Sequence, residues 1–277
     1  MTEYQYELTG DLLDIQNVGV SYQGKPILRD CTYTLKNIVR PGLTQGQVVA
    51  LLAPSGTGKS QLFRRIAGLD MPGADCTGEI FLTEDKVPAR AGMVGVVAQD
   101  YPLFAHLTVF DNLIMAAKNK MSANDAKETV NALLSRFDLA DRRMNYPHQL
   151  SGGQRQRVAI IQQMVCSGHL LLMDEPFSGL DPLMKETVQN MIVTLAAADE
   201  LNSIILTTHD INAALAVADT VLLLGRDRDE QGQPIPGARI QTVINLIERG
   251  LAWRPDVEKL PAFRDTEAEL KDWFHRL

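Results

Sequence analysis

The run Ala53-Pro54-Ser55-Gly56-Thr57-Gly58-Lys59-Ser60 follows an apolar stretch, Gln47–Leu52, and precedes residues 60–69, where apolar side chains recur at helical spacing. A buried strand that turns through glycines straight into a helix needs a sheet with helices packed on it, which points to an α/β chain. The glycines let successive backbone N–H groups turn inward around a polyphosphate, and the helix starting near Ser60 adds its positive end. In that setting Lys59 would reach the β- and γ-phosphates, and the Ser60 hydroxyl would bind Mg²⁺. The usual spacing G-x-x-x-x-G-K-[ST] begins with glycine, and Ala53 holds that place here. Alanine is acceptable there if its φ stays negative. Without further motifs, a Gly-rich turn that binds nothing is the other reading.

The rest of the chain extends the same pattern. Residues 15–20 and 31–39 read as strands on either side of a turn, Gln23-Gly24-Lys25-Pro26, and 79–82 and 93–98 as further short strands. From 101 to 163 the spacing is helical. There Ser122 and Asp125 resemble a capping pair, ahead of Ala126, Val130, Leu133, Leu134 and Phe137 on one face. Strands return at 170–173, Ser203–Thr208 and 220–224. Strands alternating with helices imply crossover units and a largely parallel sheet, with the early strands and the middle helical block as additions. Residues 225–237, rich in charge, Gly and Pro, read as a loop or linker. Beyond them Leu270, Trp273, Phe274 and Leu277 fit one helix face packed on the body.

Charge and cysteine content exclude several function classes. Lys plus Arg total 27 against 34 Asp plus Glu, a net charge of −7, which weighs against a main role on nucleic acid. Arg64, Arg65, Arg142 and Arg143 read as solvated or locally paired. Three separated cysteines, Cys31, Cys76 and Cys166, form no metal-binding or disulfide spacing and are expected to be reduced and mostly buried. The acidic start has no secretory character. No apolar run approaches the ~20 residues that span a bilayer, so the chain is expected to be soluble and to reach a membrane only through a partner.

Two further segments carry chemistry. In Leu170-Leu171-Leu172-Met173-Asp174-Glu175-Pro176 a buried strand ends in two carboxylates. Asp174 can hold Mg²⁺, a hard cation that takes oxygen ligands, and Glu175 can polarise an attacking water. Leu150-Ser151-Gly152-Gly153-Gln154 opens a helix with Ser151 as N-cap, and its glycines expose backbone N–H groups at the positive end. That is either a second anion site or a simple capped helix, and one nucleotide does not need two such sites from one chain.

Together these segments resemble the nucleotide-binding subunit of ATP-binding cassette (ABC) transporters over about residues 13–224. Residues 53–60 match the Walker A loop, 170–175 match Walker B, and 150–154 match the LSGGQ signature letter for letter. Gln99 matches the Q-loop, Ser178-Gly179-Leu180-Asp181 the D-loop, and His209 the switch histidine. Tyr22 resembles the aromatic that stacks on adenine. Each has a plainer reading: a surface glutamine for Gln99, a helix cap for Asp181, a structural histidine for His209, a core aromatic for Tyr22.

The resemblance implies a P-loop NTPase core with a mainly parallel sheet, an antiparallel β subdomain and an inserted α-helical signature subdomain at about 101–165. The ATPase domain would span 1–224, followed by a short, partly helical extension, 225–277. It implies ATP and Mg²⁺ as ligands, with Glu175, His209, Lys59 and Gln99 catalytic and Ser60, Gln99 and Asp174 at the metal. Nucleotide contacts would come from Tyr22, Ser55, Gly56, Thr57, Gly58, Lys59, Ser60 and Gln61. Ser151, Gly152, Gly153, Gln154 and Asp181 would add further contacts; in a head-to-tail homodimer or paralogous dimer Ser151 and Gly153 would meet the γ-phosphate held by the opposite chain, which accounts for the second anion site. The implied role is energising a membrane permease from the cytoplasmic face of the inner membrane, with an extracytoplasmic solute-binding protein as indirect partner. Residues 102–109 look like importer Q-loop regions, and the tail, with its Pro236-Gly237-Ala238-Arg239-Ile240 run and later aromatic residues, is similar to nitrate/sulfonate/taurine-type importers. A detached export ATPase is the alternative, followed by a non-transport ABC ATPase.

Overall fold

The computed structural model describes residues 5–40, 46–83, 85–98, 101–118, 120–166, 170–197, 203–254 and 256–277. The strands, in chain order, are β1 (Glu7–Tyr22), β2 (Lys25–Val39), β3 (Gln47–Leu52), β4 (Ala74–Leu82), β5 (Val87–Pro88), β6 (Gly95–Val97), β7 (Leu170–Asp174), β8 (Ser203–Thr208), β9 (Thr220–Arg228) and β10 (Pro234–Asn245). Among the described residues they make one sheet in the order β5-β4-β1-β2-β10-β9-β3-β8-β7-β6. Strands β6, β7, β8, β3 and β9 pair in parallel, and β5, β4, β1 and β2 antiparallel.

The parallel strands are apolar along their length because both faces of the sheet are covered. Alternate residues of β3 separate accordingly. Val48, Ala50 and Leu52 pack with buried side chains of α2 (Val109–Ala117), α3 (Ala123–Arg136), α4 (Gly152–Cys166), α5 (Pro182–Ala196), α6 (Ile211–Val217) and α7 (Pro261–Arg276). Val49 and Leu51 face the other way, onto Leu62, Phe63 and Ile66 of α1 (Lys59–Ile66) and onto the antiparallel strands through Leu13, Ile15 and Leu28. The helical block is capped as its sequence suggests. The Ser122 hydroxyl accepts from Asp125 N–H, and Ala126, Val130 and Leu134 are buried. Fully buried Asn112 of α2 holds the loop before the helix by bonding Phe104, Leu107 and Thr108 through their backbones.

Two expectations need correction. Residues 225–237 are not a linker: β9 continues to Arg228, a turn follows in which Asp229 N–H donates to Gln233 O, and β10 begins at Pro234. One of the charges that suggested a loop, Asp227, is paired across strands. Asp227 accepts from Arg29, from Arg239 at 2.7 and 3.1 Å and from Gln241 at 2.9 Å. Its carboxyl is held down at about 2, chiefly by Arg239. The second correction concerns the thiols. All three are free, but only Cys31 is buried, Cys166 is half-buried and Cys76 is exposed on β4.

The C-terminal part is bound into the body. β10 lies between β2 and β9, and Trp273 and Phe274 of α7 pack on the helical side of the core. Behind β3 lies a buried carboxylate, Asp219, which is 2% exposed and accepts from Val48 N–H at 2.7 Å. The Arg40 guanidinium lies 3.1 Å over the Trp253 ring centroid, and both side chains act on the Asp219 carboxylate. Burial pushes the Asp219 carboxyl up to about 7, against the opposing pull of the Val48 amide, Arg40 and Trp253.

Candidate functional site

The chain leaves β3 through Ala53, which is buried and is not among the residues with positive φ. The alanine at the first loop position therefore meets the condition set for it. Gly56 and Gly58 take φ of 78° and 108°, a region closed to most side chains. A Cβ on Gly58 would stand 2.9 Å from Leu28, whereas the space beyond Gly56 is open. Thr57 Oγ1 donates to Pro54 O at 2.7 Å and fixes the turn. Helix α1 starts at Lys59 with no side-chain cap and no acidic residue in its first turn, so its N–H groups face the loop.

Lys59 is 7% exposed and donates to Ala53 O at 2.8 Å and Pro54 O at 3.3 Å. Its Nζ also stands 3.3 Å from Glu175 Oε1. The other Glu175 oxygen, Oε2, is 2.9 Å from Nδ1 of His209. Glu175 is held from its backbone: at φ 49° its N–H is shared between Thr207 O and Thr207 Oγ1, both at 3.1 Å. The same hydroxyl donates to Asp174 Oδ1 at 2.6 Å. Parallel pairing of β7 with β8 sets Asp174 opposite Thr207 and so aligns this cluster.

A cavity of about 530 Å³ is lined by Tyr22, Ile27, Ser55, Gly56, Gly58, Lys59, Ser60, Gln61 and Glu175. Tyr22 stands beside the loop, its hydroxyl donating to Gln61 Oε1 at 3.0 Å. Open space over Gly56 suits a phosphate chain. Ser60 lines the cavity and Asp174 adjoins Glu175 in the Thr207 cluster; hydroxyl and carboxylate oxygens are the donors that Mg²⁺ takes.

Other expected residues lie elsewhere. Among the described residues lining the cavity, none comes from 151–154, and Asp181 is absent from it too. Ser151 and Gln154 cap one another: Gln154 N–H donates to Ser151 Oγ at 3.2 Å, and Ser151 N–H to Gln154 Oε1 at 2.9 Å. The space beside Gly152 is open, while a Cβ on Gly153 would strike Met184 of α5. Asp181 caps α5 by accepting from Met184 N–H at 3.0 Å. Gln99 lies outside the described residues.

Thr207 was not singled out from the sequence. Its only signal is its place at the end of β8, two residues before His209, and its partner Asp174 lies 33 positions away.

Comparison with known proteins adds the lineage. A family model described as ABC transporter matches residues 37–178. The sulfate/thiosulfate import ATP-binding protein CysA of Halalkalibacterium halodurans is 37% identical over 229 residues, covering 79% of this chain and 61% of that protein. Its namesake in Mycobacterium tuberculosis is 41% identical over 195 residues, covering 68% and 54%. The chain thus spans about 61% of the length of the first of these curated relatives. Among solved structures, cbiO1 from Clostridium perfringens, described as part of the ABC transporter complex cbiONQ, superposes with a TM-score of 0.71 at 24% identity. That match covers 96% of this chain and 98% of the other, and supports the fold.

Proposed function

The chain belongs to the ABC transporter family, and from that premise we propose that it is the ATP-binding and ATP-hydrolysing subunit of a solute importer. The observation that carries this reading is the convergence of three side chains at one loop. Glu175 stands 3.3 Å from Lys59 and 2.9 Å from His209, beside a glycine cradle at a helix start. ATP would lie along residues 55–61 with its base against Tyr22. Lys59 would leave the loop carbonyls and Glu175 for the β- and γ-phosphates, which frees Glu175 to take the attacking water. Ser60, Asp174 and Gln99 would hold Mg²⁺, which supplies positive charge beside the phosphates.

Glu175 orients the water and accepts its proton as oxygen attacks the γ-phosphorus and the bond to ADP breaks. His209 holds that carboxylate from its far side. Fixed donors in a dry site supply most of the catalysis.

The separation of 151–154 from the cavity supports a head-to-tail dimer, homomeric or paralogous. In it Ser151 and Gly153 of one copy, with Asp181, close over the nucleotide of the other. ATP joins the copies and hydrolysis releases them, which moves an integral permease between two states from the cytoplasmic face of the membrane. No helix among the described residues is long and apolar enough to cross a membrane, which fits a peripheral subunit. An extracytoplasmic solute-binding protein would deliver the cargo. The sulfate/thiosulfate relatives favour a small oxyanion. The nitrate/sulfonate/taurine type rests on the tail, its 236–240 run and later aromatic residues, and draws no support from those relatives. We read residues 1–224 as the ATPase domain, with the 101–165 helical block inside it, and 225–277 as an extension whose strand completes the same sheet.

Glu175→Gln is the test. It should bind ATP and dimerise on a sizing column while turnover falls by about 10²–10⁴-fold, the usual share of a general base. Turnover near that of the unmodified chain would overturn the assignment. Detergent co-purification should yield an integral permease.

A further inference from the structure

Among the described residues, a single polar contact holds the His209 side chain. Its side chain is 52% exposed and meets Glu175 through one contact. What fixes it is the residue on each side. Thr208, fully buried at the end of β8, accepts from Asp210 N–H at 3.1 Å. Asp210 caps α6 with Oδ1, which accepts from Ala213 N–H at 3.0 Å. Its second oxygen, Oδ2, lies 2.6 Å from Nζ of Lys185. Burial works to raise the Asp210 carboxyl, but Lys185, the Ala213 amide and His209 outweigh it and hold it below the ordinary carboxylate value.

Lys185 belongs to α5, one turn beyond its cap, Asp181. The path from Asp181 back to Glu175 is a tight turn in which Ser178 N–H donates to Glu175 O at 3.1 Å. These links close a ring. It runs from the Glu175 carboxylate through His209, Asp210 and Lys185 into α5, then through Asp181 and the 178–181 turn to the Glu175 backbone. Capping α6 needs one oxygen of Asp210, so the Lys185 bond is surplus to that helix.

We propose that Lys185 is a positioning residue: its ion pair with Asp210 fixes His209 against Glu175 and ties that geometry to the segment 178–181. The inference rests on the ATPase reading above. Lys185 is not among the residues that line the cavity over the glycine loop, and it acts through Asp210 and His209. A partly exposed ion pair adds little to global stability, so its loss should register in turnover rather than in folding.

The experiment compares Lys185→Met, Lys185→Arg, His209→Ala and the double variant Lys185→Met/His209→Ala in the full chain. Lys185→Met should lower kcat roughly ten- to a hundred-fold, as a displaced catalytic group does, while ATP affinity stays within about twofold. Lys185→Arg should recover most of the loss. In the His209→Ala background Lys185→Met should cost less than about twofold more, because both changes break one unit. With labelled histidine, the His209 ring signals of Lys185→Met should move without nucleotide or turnover.

The inference is overturned if Lys185→Met keeps normal kcat, weakens ATP binding in parallel, adds its full cost to His209→Ala, or leaves the His209 signals in place. If instead His209→Ala itself turns over normally, the reading of the site fails, and that result is separate from any Lys185 outcome.

Discussion

Glu175 adopts a backbone conformation that costs a non-glycine residue of order 1–3 kcal/mol, and Thr207 offsets it with two acceptors for one N–H. Strain of this kind persists where the surroundings over-determine it, and here it aims the carboxylate between Lys59 and His209. Asp219 shows burial acting on a single group. Its folded pKa of about 7 lies above the ordinary 3.8, so the folded chain holds a proton that the unfolded chain has released. The resulting stability is complete below about pH 4 and is lost as the pH rises to about 7, at up to about 1.4 kcal/mol per unit. Asp219→Asn keeps an acceptor for Val48 N–H and cannot ionise. Its melting temperature should therefore gain on that of the unmodified chain between about pH 5 and pH 7.5; parallel curves would exclude a raised Asp219 pKa. Lys59, Glu175 and His209 were legible in the sequence because each follows a buried strand at short range. Thr207 and Lys185 were not, because their partners, Asp174 and Asp210, are reached only through strand pairing and helix packing.

At the scale of elements, what is local could be read and what is relational could not. Ser122, Ser151 and Asp181 bond an amide three residues on, and each cap stands in the structure where the sequence places it. The two early strands run longer than their apolar cores suggest, because β1 crosses a bulge at Asn17, φ 48°. Opposite it Gly78 takes φ 70°, and a Cβ there would strike the backbone carbonyls of Gln16 and Asn17. Backbone cannot yield as a side-chain tip can, so Gly78→Ala should cost about 1–3 kcal/mol or more in urea unfolding. An unchanged midpoint would mean that the bulge has slipped to a new register. The strand β10 was hidden by Pro234, Pro236 and Gly237 and by charges that resemble a loop until their partners on β2 and β9 are known.

At the scale of the molecule, the parallel core and its helical insertion were readable from the alternation of strands and helices. The join between the two halves of the sheet was not. That join is β10, parallel to β2 at Leu28 and antiparallel to β9. A chain ended after Arg228 would leave both neighbouring strands with bare edges, which are templates for aggregation. We expect it to accumulate as insoluble material, or to show no cooperative melting by circular dichroism. A monomeric 1–228 fragment that melts in one transition would refute this.

The placement of β10 also sets an order of events during synthesis. Ala238 meets Leu28 some 210 positions earlier in the chain, and contacts so distant form late. While the ribosome is still translating the 220s, the antiparallel ribbon and the nucleotide-holding strands can pack through Leu28 and Leu51 but lack the strand that hydrogen-bonds them into one sheet. The newborn polypeptide exposes two unfinished seams until one late segment emerges, and in that interval it most needs a chaperone's shelter.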